Sequence, residues 1–473
     1  MLSIKTIFEA LTGRSISMPT QIITDAAFDS RLVIPGSLFV AIPGEHVDGH
    51  EFVNEAIERG AVVVLIEQEV STQCNSFDLR TELDEEAIRT LEVPICLMVD
   101  NTVEALQRIA SHWRDQLKLR VIGITGSVGK STTKELTAEV LGRRYRTLRN
   151  PGNLNNEIGL PISLLRLTEA HESAVLEMGF YVPGEIALLC RIAKPQVGVI
   201  TNVSHVHMER AGSLDAIVQG KGELVENLPP APDGTAILNY DETLVRNMAS
   251  RTKARVFYYG ITPDADLWVN DIEGLGLEGV RFVMHYRGDS VHVKVPLLGR
   301  HSVHTALRAA AVGLVEGLTW EEIAGGLQTS QSQLRLLAVQ GPGGSLIMDD
   351  TYNAAPTSMI AGLNLLAELE GRRIAVLGDM LELGDYEERG HRMVGVRVAG
   401  VADELVAVGA RARWIAEEAI LSGLPKSRVV MLEDKEAAIE YLQGRIGEGD
   451  VVLIKGSRGM QMDNIVTALE ETA

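Results

Sequence analysis

A turn between an apolar run and a helix-forming segment contains the residue types that bind phosphate. It reads TGSVGKST over residues 125–132. Its two glycines let backbone amides converge on phosphate oxygens, and the positive end of the following helix points at them. A lysine there neutralises phosphate charge, and a hydroxyl binds Mg²⁺. The spacing departs from G-x-x-x-x-G-K-[ST], because Ile124 stands five residues before the second glycine. An ordinary strand–turn–helix junction is the alternative. The residues expected to contact a nucleoside triphosphate are Gly126, Ser127, Val128, Gly129, Lys130, Ser131 and Thr132.

Polar residues also follow the next apolar runs. The motif EMG places Glu177 at a run's end, where a hard carboxylate oxygen suits Mg²⁺. TNVSHVHMER places His207 and Glu209 beyond the next run, and QGKGE places Lys221 about one helix later. A lone histidine is more often structural than a ligand. Three such motifs in one domain with a phosphate loop nevertheless favour a functional site, because ligands bind at the carboxyl ends of parallel strands.

These motifs require a parallel sheet to position them, and the chain is long enough for about three domains of roughly 150 residues. Residues 1–100 predict a small α/β domain. Residues 101–325 predict a central parallel sheet with crossover helices, to which VRFVMHYRGDSVHVKV adds an antiparallel hairpin. Residues 326–473 predict a doubly wound, Rossmann-like α/β domain. That segment lacks G-x-G-x-x-G after its first strand, so nothing supports a nicotinamide site.

Several individual elements are also predicted. The amino-terminal segment has strands at 38–42 and 60–68. The central segment has strands in SAVLEMG, VGVITNVSH, GTAILNYDE and RVFYYG. The carboxy-terminal segment has strands in SLIMDD, RIAVLGD, ELVAVG, RVVMLED and VVLIKG, with helices at 387–399 and 433–444.

Composition excludes two classes of partner. The formal net charge is −20, whereas nucleic-acid binding needs a basic face. No apolar run approaches the roughly 20 residues that span a bilayer. The three cysteines, Cys74, Cys96 and Cys190, are widely scattered, which is typical of a protein in a reducing compartment. Their spacing does not match a cysteine cluster that binds a metal. We expect a cytoplasmic monomer without a nucleic-acid partner or membrane insertion.

The order of the motifs resembles a known family. TGSVGKST, NLNNEIGLP, EMG, TNVSHVHME, KGE, NYD, LLGRH, DDTYNAAP and KGSRGM occur as they do in the Mur ligases, ATP-dependent enzymes of peptidoglycan precursor synthesis. The resemblance covers nearly the whole chain. Residues 29–61 resemble the amino-terminal substrate domain of members acting on lysine- or diaminopimelate-level precursors. DDTYNAAPTSM and VLGDMLELGDYEERGH resemble the members that act last, on a UDP-N-acetylmuramoyl-tripeptide.

The resemblance implies an amide ligation and a role in cell-wall biogenesis, and thereby in cell shape and division. The γ-phosphate of ATP moves to the terminal carboxylate of the UDP-N-acetylmuramoyl-tripeptide, which turns a poor leaving group into a good one. The amine of D-alanyl-D-alanine then attacks the acyl phosphate. Two alternatives stay open: another Mur-type or folylpolyglutamate-type amide ligase, and a non-catalytic nucleotide-binding partner. Neither the third residue of the peptide nor acceptance of D-alanyl-D-lactate follows from the sequence.

The resemblance also implies a metal site. Ser131 or Thr132 with Glu177 would hold one Mg²⁺, and His207 would help to hold a second. Lys221 matches a family lysine that is commonly carbamylated, and a plain surface lysine is the alternative.

The remaining site residues are carried over position by position. Arg335 matches the arginine that reaches the ATP phosphates, and Asp350 and Tyr352 match positions bordering the nucleotide. Expected substrate contacts are Ser30 and Arg31 for the uridine diphosphate, Asn153, Asn155 and Asn156 for the substrate-facing loop, and Lys455, Ser457 and Arg458 for the dipeptide. The chain departs from the family at Ser302, Thr305 and Ala355, where asparagine is usual. No adenine contact is therefore carried over to these three positions.

Overall fold

The computed structural model describes residues 1–15, 21–44, 47–72, 74–81, 86, 88, 91–206, 208–328 and 337–470. Two of the expected site residues, His207 and Arg335, lie outside the described residues. No helix within the described ranges is long and apolar enough to cross a membrane.

The amino-terminal sheet has five strands in the order β1-β2-β3-β5-β4, and all of its pairings are parallel. Both strands predicted here are confirmed, with slightly shorter bounds. The elements are α1 (Ile4–Thr12), β1 (Ala26–Ala27), β2 (Ser37–Val40), α2 (Val53–Glu58), β3 (Ala61–Ile66), β4 (Asn75–Asp78), β5 (Ile95–Met98) and α3 (Thr102–Asp115).

Two of the cysteines lie together, which their spacing in the sequence did not predict. Cys74 and Cys96 form a disulfide across 22 residues of chain, so the interpretation of the scattered cysteines as a sign of a reducing compartment is wrong. The cause is the sheet, because β4 begins directly after Cys74 and pairs in parallel with β5, which contains Cys96. Cys190 is free and buried.

The central sheet has nine strands in the order β14-β13-β12-β11-β10-β9-β6-β8-β7. The pairings from β7 to β12 are parallel, and the last two are antiparallel, which confirms the predicted hairpin. The strands are β6 (Arg120–Thr125), β7 (Thr147–Arg149), β8 (Ser173–Glu177), β9 (Val197–Ile200), β10 (Thr235–Asn239), β11 (Arg255–Gly260), β12 (Leu267–Gly274), β13 (Val280–Tyr286) and β14 (Asp289–Val295). The helices are α4 (Lys130–Leu141), α5 (Gly159–Leu165), α6 (Glu185–Ala193), α7 (Met208–Ala211), α8 (Leu214–Glu226), α9 (Thr243–Arg246), α10 (Ser302–Val315) and α11 (Trp320–Gln328).

The carboxy-terminal sheet has six strands in the order β15-β16-β20-β17-β18-β19. All five predicted strands are present and parallel, and the helix predicted at 387–399 has those bounds. The additional strand β15 pairs antiparallel with β16. The elements are β15 (Leu337–Gln340), β16 (Leu346–Asp349), α12 (Pro356–Glu368), β17 (Arg372–Gly378), α13 (Glu387–Ala399), β18 (Glu404–Val408), α14 (Arg413–Leu421), β19 (Val429–Leu432), α15 (Lys435–Leu442), β20 (Asp450–Lys455) and α16 (Asp463–Leu469).

Both faces of the inner parallel strands β8, β9 and β10 are buried, which explains their continuous apolar runs. Successive residues of β8 point to opposite faces, so Val175 packs in one core cluster and Leu176 in another. The cluster around Leu176 continues into the amino-terminal domain through Leu38 and Leu65. The polar residue at the strand's end, Glu177, is thereby fixed at the carboxyl edge of a packed sheet.

Candidate functional site

The phosphate loop connects the end of β6 to the start of α4. Gly126 and Gly129 have φ angles of 145° and 82°, which side chains rarely adopt. A Cβ atom on Gly126 would also lie 1.8 Å from the Thr201 hydroxyl. The close approach of strand β9 therefore requires glycine at this position.

Two residues directly after β9 hold the loop in shape. The Val128 amide donates to Asn202 Oδ1 at 2.9 Å, and its carbonyl accepts from Asn202 Nδ2 at 2.9 Å and from Thr201 Oγ1 at 2.7 Å. Neither residue was predicted to do this. The available signal was the polar pair TN placed immediately after the apolar run VGVI.

Lys130 lies across the loop that it belongs to. Its ammonium group donates to the carbonyl oxygens of Gly126 at 2.9 Å and Ser127 at 3.3 Å. The lysine is half-buried, and its charge is thus placed at the mouth of the loop amides.

Three residues that the sequence analysis singled out meet at Glu177. The carboxylate is 2% exposed. Its Oε2 accepts from Ser131 Oγ at 2.6 Å, and its Oε1 accepts from Asn155 Nδ2 at 2.9 Å. A carboxylate and a hydroxyl are hard oxygen donors of the kind that Mg²⁺ prefers, so these residues fit the ion.

The protein side of this metal site is small. Within the described residues, no group of three or more His, Cys, Asp or Glu could hold a metal by itself. Mg²⁺ is commonly bound by one or two carboxylates together with substrate phosphates and water. The pair of Ser131 and Glu177 beside a phosphate loop matches that arrangement.

Two buried residues that the sequence did not predict, Asn150 and Lys134, hold the loop that begins at Asn153. Asn150 binds the backbone of Glu177 on both sides, accepting from its amide at 2.8 Å and donating to its carbonyl at 3.1 Å. Lys134 is 1% exposed and donates to the carbonyls of Asn150 at 2.7 Å and Gly152 at 3.1 Å. The loop and the Glu177 carboxylate are therefore held by one network.

The three asparagines expected in this loop have different positions. Asn155 contacts Glu177 as described, and Asn153 is exposed. The Asn156 side chain accepts from the Gly159 amide at 2.8 Å, at the start of α5. In this structure Asn156 stabilises a helix end, and its amide is partly engaged there.

Lys221 is buried, so the alternative of a surface lysine is wrong. Its side chain is 1% exposed, and its Nζ has no hydrogen-bond partner among the described residues. The Nζ lies 4.6 Å from the centroid of the Phe180 ring. Burial, and secondarily the charge of Lys130, hold the pKa of this amine well below its usual range.

A cavity of about 730 Å³ lies between the central and carboxy-terminal domains. The phosphate loop forms part of its wall through Ser127, Val128, Gly129 and Thr132. Positions where this chain departs from the family also line it, namely Ser302, Thr305 and Ala355, together with Asp350 and Lys455 of the carboxy-terminal domain.

Buried ionisable groups form part of the same wall. Burial, with the charges of Lys455, His304 and Arg308, lowers the pKa of His301 to about 4. Burial raises the pKa of Glu242, whose Oε1 accepts from the Val203 amide at 2.9 Å. At neutral pH the cavity therefore contains an uncharged imidazole.

The expected dipeptide residues are not equally exposed. Lys455 is 2% exposed, and its Nζ pairs with Asp350 Oδ2 at 2.7 Å and donates to the Asn353 carbonyl at 2.9 Å. Ser457 is buried, and its Oγ accepts from the Leu381 amide at 2.8 Å. Arg458 is exposed and lies 5.8 Å from the centroid of the Tyr352 ring.

The expected uridine-diphosphate residues lie in the amino-terminal domain. Ser30 is buried and its hydroxyl donates to Glu55 Oε2 at 3.0 Å. Arg31 is exposed and pairs with Asp29 at 2.7 Å, and hydrogen bonds from this arginine lower the pKa of that carboxyl. These residues do not line the cavity described above.

The central and carboxy-terminal domains also touch outside the cavity. The rings of His205 and Tyr386 stack with centroids 3.9 Å apart and planes 10° apart. Gly384 packs against the backbone of Met208 and Glu209 beside them. Burial and the charge of Arg389 lower the pKa of His205.

The chain matches three domain families over most of its length. Residues 23–114 match "Mur ligase family, catalytic domain", residues 124–313 match "Mur ligase middle domain", and residues 334–458 match "Mur ligase, glutamate ligase domain". It is 37% identical to the UDP-N-acetylmuramoyl-tripeptide–D-alanyl-D-alanine ligase of Bacillus subtilis, covering 95% of this chain and 94% of the relative. It is 35% identical to the Escherichia coli protein of that name, covering 94% and 93%.

Solved structures agree with these matches. MurF from Acinetobacter baumannii superposes with a TM-score of 0.84 at 29% identity, covering 98% of both chains. MurF ligase from Thermotoga maritima in complex with ADP superposes with a TM-score of 0.77 at 26% identity, covering 97% of both. Mycobacterium tuberculosis folylpolyglutamate synthase shares only the fold, at 16% identity over 78% of this chain.

Proposed function

The chain belongs to the Mur ligase family, and we propose that it joins D-alanyl-D-alanine to UDP-N-acetylmuramoyl-tripeptide, converting ATP to ADP and phosphate. The observation that carries this proposal is the match to UDP-N-acetylmuramoyl-tripeptide–D-alanyl-D-alanine ligases over more than nine-tenths of both chains. The product would be the UDP-N-acetylmuramoyl-pentapeptide used for the bacterial cell wall. We place this activity in the cytoplasm.

The chemistry has two steps. A carboxylate oxygen of the tripeptide attacks the γ-phosphorus, the bond to the β-phosphate oxygen breaks, and ADP leaves. The free amine of the dipeptide then attacks the acyl carbon. The tetrahedral intermediate collapses with loss of phosphate and a proton, and an amide remains. Excluding water matters here, because water would otherwise attack the acyl phosphate.

The phosphate loop and its surroundings suit the first step. Lys130 would exchange its contacts with the loop carbonyls for phosphate oxygens, because the anion offers a stronger partner. Ser131 and Glu177 would hold Mg²⁺, which supplies positive charge between two anionic reactants. We further propose a second Mg²⁺ held with the help of His207, and an ATP-phosphate contact from Arg335.

Lys221 has the properties that carbamylation needs. A neutral amine adds CO₂ to give a carbamate and a proton, and the lowered pKa of this amine keeps it neutral at lower pH. Its Nζ also has no hydrogen-bond partner among the described residues, so no existing contact has to be broken when the amine reacts. We propose that the resulting anion helps to organise the metal site.

The remaining roles stay proposals as well. We propose that Asp350 and Tyr352 lie next to the bound nucleotide. Arg458 would bind the dipeptide, and Lys455 and Ser457 would form the surroundings of that dipeptide. Asn153, Asn155 and Asn156 would form the substrate loop, and Ser30 and Arg31 would contact the uridine diphosphate. We place these roles in three domains with boundaries near residues 100 and 325. The amino-terminal domain would contact the uridine diphosphate, the central domain would hold the ATP phosphates and the substrate loop, and the carboxy-terminal domain would border the nucleotide and bind the dipeptide.

A phosphate-release assay tests the activity. Purified protein is mixed with ATP, Mg²⁺, UDP-N-acetylmuramoyl-tripeptide and D-alanyl-D-alanine. The released phosphate is measured, and the mass of the product is determined by mass spectrometry. The expected result is phosphate release that needs both substrates, with product mass equal to the two joined less one water. Lys130→Ala should lower the rate about a hundredfold or more. Release without dipeptide dependence, or a glutamate adduct of a folate in a parallel reaction, would overturn the proposal.

A further inference from the structure

Arg308 is a buried cation that the reaction as described above does not use. It lies on α10, is 5% exposed, and lines the cavity beside the phosphate loop. Its Nε donates to the Tyr259 hydroxyl at 2.8 Å, and its two terminal nitrogens donate to Thr133 Oγ1 at 3.1 Å and to the Thr201 carbonyl at 3.2 Å. All three acceptors are uncharged.

Its charge has no ion-pair partner among the described residues. Burial raises the pKa of the nearby Glu242, and the Arg308 charge opposes that rise only in part. The Glu242 carboxylate accepts from the Val203 amide and forms no ion pair with Arg308 among the described residues. A buried charge without a counter-charge is costly, because the ion loses the stabilisation that water would give it. The neutral hydrogen bonds offset only part of that cost, so an anion is expected nearby.

The guanidinium lies directly behind the phosphate loop. A Cβ atom on Gly129 would be 3.3 Å from one of its terminal nitrogens. Both of its threonine partners are next to the loop. Thr133 lies on α4, which follows the loop. Thr201 donates its hydroxyl to the Val128 carbonyl within the loop. A phosphate bound to the loop amides at about 3 Å would lie within about 10 Å of this charge.

We infer that Arg308 is a positioning residue for the nucleotide: its fixed charge acts through the phosphate loop and is balanced by the phosphates of bound ATP or ADP. Thr305 lies one turn earlier on α10, and its Oγ1 accepts from a terminal nitrogen of the same guanidinium at 3.5 Å. Two charges about 10 Å apart at an effective dielectric constant near 20 change a binding constant roughly tenfold per phosphate charge. This inference rests on the proposed ATP-dependent function.

The test compares nucleotides of different charge. Affinities for adenosine, ADP and ATP are measured by calorimetry on the full chain for wild type, Arg308→Gln and Arg308→Lys. Gln retains a donor without charge, and Lys retains the charge without the planar fork. Arg300→Gln is the matched control, because this exposed arginine next to α10 donates to the Ile272 carbonyl and does not line the cavity.

We expect Arg308→Gln to weaken ATP about tenfold or more, ADP less, and adenosine less than about threefold. Arg308→Lys should keep most of this dependence on charge, and Arg300→Gln should resemble wild type. Equal weakening of all three ligands by Arg308→Gln would refute the inference and leave a purely structural role. If Arg308→Gln does not fold, loss of the charge dependence in folded Arg308→Lys would refute it instead. Wild type that binds neither ADP nor ATP would refute the proposed function itself.

Discussion

Replacing Glu177 with glutamine tests whether its charge serves a metal. The carboxylate is 2% exposed and accepts from Ser131 Oγ at 2.6 Å and Asn155 Nδ2 at 2.9 Å. Glutamine keeps the volume. It can turn its oxygen to Asn155 and its amide to Ser131, whose hydroxyl is able to accept as well as donate. The fold should therefore survive the change, while the negative charge is lost.

The size of the effect follows from the role proposed for this charge. Mutation of residues that only support metal ligands costs about ten- to a hundredfold in metal affinity, and loss of the ligand's own charge should cost at least as much. We therefore expect Glu177→Gln to raise the Mg²⁺ concentration for half-maximal phosphate release by at least about tenfold, and to lower the rate at saturating ATP. The affinity for ADP measured in EDTA should not fall, because a carboxylate near phosphates is removed.

The assay is a Mg²⁺ titration of dipeptide-dependent phosphate release. Glu172→Gln is the matched control. Glu172 is exposed and precedes the start of β8, and among the described residues its side chain accepts only from the Arg146 amide. An unchanged Mg²⁺ requirement in Glu177→Gln would refute the metal role. A large fall in melting temperature would show that the carboxylate instead supports the loop.

Three further predictions concern other residues. Lys221→Ala should lose about a hundredfold or more in rate, because a positioned charge is removed, and short carboxylic acids added to the assay should restore part of it; full activity would exclude carbamylation as essential. For His301, the folded pKa of about 4 lies below the usual value of 6.5, so the unfolded chain binds more protons between these values and stability falls as pH drops from 6.5 to 4. Denaturant unfolding should show wild type losing roughly 3 kcal/mol relative to His301→Gln across that range, and parallel pH curves would contradict this. Arg458→Lys should raise the dipeptide KM about tenfold, because the two-point grip on a carboxylate is lost, with the ATP KM unchanged; a joint rise of both would indicate a structural role.

The sequence predicted the parts of the site that depend on residue type. A glycine turn after an apolar strand predicts a phosphate loop from local chemistry. Glu177 is the last residue of another apolar strand, β8. Since parallel strands present their carboxyl ends at one edge, β6 and β8 had to bring Ser131 and Glu177 close together. The fold class followed from the same alternation of apolar runs and helices.

The supporting residues could not be predicted in this way. Lys134 and Asn150 act through backbone carbonyls and amides, and any residue presents those groups, so no pattern of types reveals them. The burial of Lys221 depends on the packing of Phe180 against α8. Strand β15 pairs with a neighbour only six residues further on, across a turn of glycines, and its short run carries little period-two signal.

The stack between His205 and Tyr386 has a consequence for how fast ADP can leave. These rings join two domains next to Ser204 and Val206, which line the cavity, without lining it themselves. A stacked aromatic pair contributes about 0.5–1.5 kcal/mol, which biases opening of the domains by a factor of roughly two to ten. Where product release limits turnover, a contact that lies outside the cavity would therefore change the turnover rate by a factor of that size at most.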